Sequence, residues 1–84
     1  MKYHVDCLAV ADAVAMHSVL AQTLNFPDWY GHNLDALFDC LTELEAPVHL
    51  VLHNWDADAP YAQGFACVFA DAQGENPDFT VEFL

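Results

Sequence analysis

Residues 48–53, Val-His-Leu-Val-Leu-His, constrain the fold of this chain more than any other segment. The run has the length of a strand, but its polar and apolar residues alternate imperfectly. Such a largely apolar strand suits a parallel sheet covered by helices. The flanking segments agree. Residues 2–7 and 79–83 alternate and predict a first and a last strand. Between the first two strands, Asp12 is placed to cap a helix over 13–24, in which Val14, His17, Leu20, Ala21 and Leu24 recur at helical spacing. Asn25-Phe26-Pro27 ends it, because the residue before a proline is pushed out of the helical region. Asp28 to His32 form a loop in which Gly31 supplies a permissive backbone position. Asn33 then caps a second helix over 34–44, with Leu34, Leu37, Leu41 and Leu44 as its apolar stripe and Pro47 closing the unit. A third helix runs from Pro60 to Ala72, although Gly64 inside it costs about 1 kcal/mol relative to Ala. Gly74 through Pro77 form the next break. The order strand-helix-helix-strand-helix-strand implies an α/β fold, with a three-stranded parallel sheet packed with helices. The 84 residues have room for one domain, spanning 1–84.

The chain carries 13 acidic residues against one basic residue, Lys2, for a net charge of −12. Nucleic acid is a poor partner for such a chain, since neutralising phosphate needs Lys and Arg, and an anionic membrane is excluded in the same way. No apolar run approaches the roughly 20 residues of a membrane span. No basic, apolar start of signal-peptide type is present. A basic protein is the natural complement. The cysteines, Cys7, Cys40 and Cys67, are odd in number and far apart, which fits reduced, mostly buried thiols in a cytoplasmic protein.

The segment Phe26–Leu44 runs from an aromatic loop into the second helix. Asp35 and Asp39 are four apart and share one face, continued by Thr42, with Phe38 beside it. Trp29, Tyr30 and Phe38 are expected around that face. Aromatic anchors next to fixed carboxylates suit a protein interface.

This segment resembles the barstar family of intracellular ribonuclease inhibitors. The family's run of proline, acidic residue, two aromatics, glycine, any residue and Asn-Leu-Asp-Ala-Leu stands here as Pro27-Asp28-Trp29-Tyr30-Gly31-His32-Asn33-Leu34-Asp35-Ala36-Leu37, continued by Phe38-Asp39-Cys40-Leu41-Thr42. Outside this block the likeness lies mostly in the order of elements. The resemblance implies an inhibitor, not an enzyme, that blocks the active-site cleft of a small basic ribonuclease as a monomer binding 1:1. It implies that Asp39 mimics a substrate phosphate, that Asp35 meets the cleft rim, that Trp29 and Phe38 pack at its edge and that Thr42 adds a polar contact. Asn33 belongs to the same partner-facing set, and Asp71 in the third helix aligns with a further acidic contact. Four positions depart from the family pattern: Trp29 stands for Tyr, Phe38 for Trp, His32 for an acidic residue and Leu44 for another aromatic. They bear on which enzyme is bound more than on how. The alternative reading is an acidic protein-binding or immunity module for a basic partner that is not a ribonuclease.

Other chemistry is set aside. His49 and His53 lie on one strand face but roughly 13 Å apart. His4 and Asp6 share a face without completing a metal site, so neither a metal nor a cofactor is expected. A catalytic Cys40 with His32 and Asp35 would need positive charge to lower the thiol pKa, and its surroundings are acidic. His17 falls on the apolar side of its helix and reads as a hydrogen-bonded core histidine.

Overall fold

The computed structural model describes residues 1–84. In chain order it contains β1 (Lys2–Asp6), α1 (Ala13–Leu24), α2 (Leu34–Thr42), β2 (Val48–His53), α3 (Ala62–Glu75) and β3 (Phe79–Phe83). The strands form one parallel sheet in the order β1-β2-β3. Lys2 pairs with His49, and Val48 with Phe79. The first strand is one residue shorter than its alternation suggests. Cys7 instead opens a 3-10 turn, Cys7–Ala9, capped by the Asp6 carboxylate accepting the Leu8 N–H at 3.0 Å.

Helices cover one face of the sheet. Val5, Leu50, Leu52 and Phe79 from that face join Met16, Leu20, Leu37, Leu41, Phe65 and Phe69 in one buried cluster. The other face carries Lys2, His4, Asp6, His49, His53, Thr80 and Glu82, all exposed or half-buried. Val51 belongs to this second face, yet it is buried and lies outside the main cluster. The central strand thus shields residues on both faces, which explains its broken alternation.

Local chemistry sets the helix ends. The Asp12 carboxylate accepts the Ala15 N–H at 2.8 Å. Asn25 ends α1 in the left-handed region, φ 56°, while the Phe26 N–H reaches the Ala21 carbonyl at 2.9 Å. Asparagine tolerates that conformation better than most residues. The buried side of α1 is Met16, His17 and Leu20, so Val14, 69% exposed, is not part of it. The third helix begins at Ala62, two residues after Pro60, and runs through Gly74 to Glu75. Burial of Phe65, Phe69 and Ala72 outweighs the poor propensity of two glycines.

Gly64 has a packing role. A Cβ at this position would lie 3.0 Å from Leu34 Cδ1, so the glycine lets α2 approach α3 closely. Leu34 therefore rests on α3 at the edge of the core, still 36% exposed, rather than inside it as the leucine spacing suggests.

Candidate functional site

The second helix is short, and both of its ends are tied down. At the start, Asn33 Oδ1 accepts the Ala36 N–H at 2.8 Å and satisfies one of the donors a helix leaves free. Gly31 is needed beside this cap for space, not for a positive φ. A Cβ there would meet Asn33 Nδ2 at 2.9 Å, and the left-handed residue of the loop is His32, φ 53°. At the far end α2 stops at Thr42, two residues before the leucine stripe does. Buried Asn76 from the α3–β3 connection donates through Nδ2 to the Leu41 carbonyl at 2.9 Å and the Leu44 carbonyl at 3.2 Å. Its Oδ1 accepts the Asp78 N–H at 3.0 Å. Sequence spacing does not single out Asn76. Its only local signal is a polar residue between a helix and Pro77. We expect Asn76→Ala to cost about 2 kcal/mol in denaturant unfolding, because buried backbone groups lose their partner.

The loop before α2 is anchored from below. A turn from Pro27 to Tyr30, closed by the Tyr30 N–H on the Pro27 carbonyl at 3.0 Å, projects Asp28 and Trp29 outward. Tyr30 turns in and shares a 2.5 Å hydrogen bond with His17 Nδ1. Burial holds the Tyr30 hydroxyl well above its ordinary pKa, with the nearby Cys40 adding to the effect. Burial, followed by the neighbouring His32, lowers the pKa of His17. The folded state therefore disfavours His17 protonation, and stability falls as pH drops through the ordinary histidine range. Tyr30 is thus a buried support for the loop. It does not belong to the exposed aromatic rim where the spacing placed it.

Above these supports the expected residues separate clearly. Asp35 and Asp39 are exposed on successive turns of α2, and neither carboxylate joins an ion pair or hydrogen bond. Trp29 is 61% exposed, and Phe38 is half-buried against the core. Thr42 is half-buried, and its hydroxyl donates to the Phe38 carbonyl at 2.9 Å and the Asp39 carbonyl at 3.1 Å. Its proton is thus committed within the helix, and only its lone pairs face outward. Asp71 is exposed on α3, the helix packed beside α2. Five acidic residues, Asp28, Asp35, Asp39, Glu43 and Glu45, lie in the loop, α2 and the segment after it, with no basic residue among them. Between Trp29 and Glu43 lies a depression of about 180 Å³, floored by Phe26, Cys40 and Leu44.

Cys40 is a poor nucleophile. Burial raises the Cys40 thiol pKa, and Glu43 and Asp39 raise it further, which is the opposite of what a nucleophile needs. Cys7 is also buried and Cys67 is exposed on α3, so the free thiols are mostly buried, as expected.

Fold and site together describe a small α/β protein that presents a rigid acidic helix beside an exposed tryptophan. The chain belongs to the family described as Barstar (barnase inhibitor), whose pattern matches residues 1–84. It is also 43% identical over 68 residues to a Bacillus subtilis (strain 168) protein named "Putative ribonuclease inhibitor YrdF", with 75% of each chain covered. Membership places the chain among inhibitors rather than enzymes. No helix is long and apolar enough to cross a membrane.

Proposed function

We propose that the chain, acting as one domain over 1–84, inhibits a small basic ribonuclease by laying α2 and the loop before it across the enzyme's active-site cleft. One observation carries this reading above the others. Asp35 and Asp39 are exposed, unpaired and fixed on a helix capped at both ends. A ribonuclease cleft holds Arg, Lys and His to bind an anionic substrate and stabilise a more charged transition state. A carboxylate already held in place competes for those groups with little ordering cost. In this reading Asp39 takes the place of a substrate phosphate and Asp35 meets donors at the rim. Trp29 and Phe38 supply apolar contact, with Asn33 and Thr42 at the margin and Asp71 contributing from α3. Family membership supports inhibition of a ribonuclease, and the geometry supports α2 as the contact surface.

The test is to retain a basic ribonuclease on the immobilised chain, then titrate the free chain into that enzyme. Activity should vanish at one equivalent. Retention of a protein without ribonuclease activity would favour the acidic-module reading.

Association should also be fast. At low salt the two proteins should bind faster than about 10⁷ M⁻¹s⁻¹ and slow steeply as salt rises, because opposite net charges steer the encounter. Stopped-flow measurements across ionic strength check this, and a salt-independent rate would remove steering from the account.

A further inference from the structure

The open face of the sheet lies apart from the acidic helix and carries three histidines that the proposed inhibition does not use. His49 is already engaged, through Nδ1 with the Thr80 hydroxyl at 2.7 Å and through Nε2 with the Glu82 carboxylate at 3.0 Å. His4 and His53 are engaged only with each other. Parallel pairing sets His53 opposite Asp6 and His4 opposite Val51, so the two imidazoles are diagonal neighbours across β1 and β2. His4 Nδ1 and His53 Nε2 are 2.8 Å apart, and the rings meet nitrogen to nitrogen, with centroids 5.1 Å apart and planes at 23°.

We propose that His4 and His53 form a two-nitrogen chelate for a divalent transition-metal ion of the zinc, nickel and copper class. Two imidazole nitrogens on one ion, at bonds of 2.0–2.1 Å, sit roughly 2.9–3.3 Å apart at right-angled to tetrahedral geometry. The observed 2.8 Å lies at the short edge of that range, and each nitrogen points at the other, so each ring turns by roughly 35–45° to admit the ion in place of the shared proton. Imidazole favours zinc, nickel and copper over the hard ions magnesium and calcium. No third protein ligand completes the set, so water fills the remaining positions and binding is reversible. Two features favour a cation here. The net charge of −12 raises cation concentration near the surface. Asp6, directly opposite His53, adds a carboxylate beside the site.

The test is calorimetric titration of the chelator-treated full chain with Zn²⁺. One site is expected, and His4→Ala and His53→Ala should each weaken it by roughly tenfold or more, because a lone imidazole keeps only half of the chelate. His49→Ala should leave the affinity within about twofold, since its ring is held by other groups. All three side chains are at least partly solvent-accessible, so the variants should keep the parent's circular dichroism. In parallel, Zn²⁺ should shift the ring resonances of His4 and His53 and leave those of His49 and His17 in place. Absence of binding, or binding that survives His53→Ala unchanged, would overturn the assignment. The second outcome would place the ion on the chain's diffuse negative surface or its amino terminus.

Discussion

Asp39→Ala is expected to weaken inhibition by about 2–5 kcal/mol or more, chiefly through a faster off-rate, as for truncating one partner of a buried charge pair at an interface. The reason is what remains behind. The cationic groups of the enzyme's cleft would stay desolvated with nothing opposite them. Asp58→Ala removes the same unit of charge from the connection between β2 and α3, so it should reduce long-range attraction similarly and cost far less affinity. It is a better control than Asp12→Ala, which also removes the α1 cap at Ala15. Asp35→Ala should rank next after Asp39→Ala. Trp29→Ala should lose packing area with little change in salt dependence, since Trp29 carries no charge. Dissociation rates measured for each variant at fixed ionic strength check the ranking. Interchangeable aspartates would mean that α2 acts only through the overall field.

Leu41→Ala is expected to cost about 2–5 kcal/mol of stability, through lost transfer energy plus the cavity left behind. Leu41 is fully buried, within the cluster that joins α2 to the sheet and α3. The total stability of a domain this size is on the order of 5–15 kcal/mol, so the loss takes a large share of it. The carbonyl of the same residue accepts from Asn76, so side chain and backbone hold the helix from two directions. Urea unfolding should show a lower midpoint with an unchanged slope. A change below about 1 kcal/mol would mean that α2 is not seated in the core as described.

Where sequence reading succeeded, the determinants were local. Asp12 and Asn33 cap their helices because a short polar side chain can reach a backbone N–H within its own turn. The parallel sheet was legible because each pair of strands is separated by helical periodicity, which forces a crossover. The leucine spacing identified Leu37 and Leu41 as core residues.

Where it fell short, the determinant came from elsewhere in the chain. Leu34 rests on α3 because Gly64, 30 positions later, leaves room for it. Tyr30 is buried because His17 offers its hydroxyl a partner. The end of α2 depends on Asn76, and the His4–His53 contact depends on a register that no single segment encodes. The exposed Asp35 and Asp39 were legible from spacing alone. Their candidacy as a binding surface came from the motif around them.

The most direct measurement is steady-state inhibition of the partner ribonuclease at increasing substrate, together with binding of a nucleotide product analogue to the enzyme–inhibitor complex. If α2 fills the cleft, substrate should relieve inhibition competitively, and the complex should exclude the nucleotide. A ternary complex of enzyme, chain and nucleotide, with inhibition independent of substrate, would contradict cleft blockade by this helix.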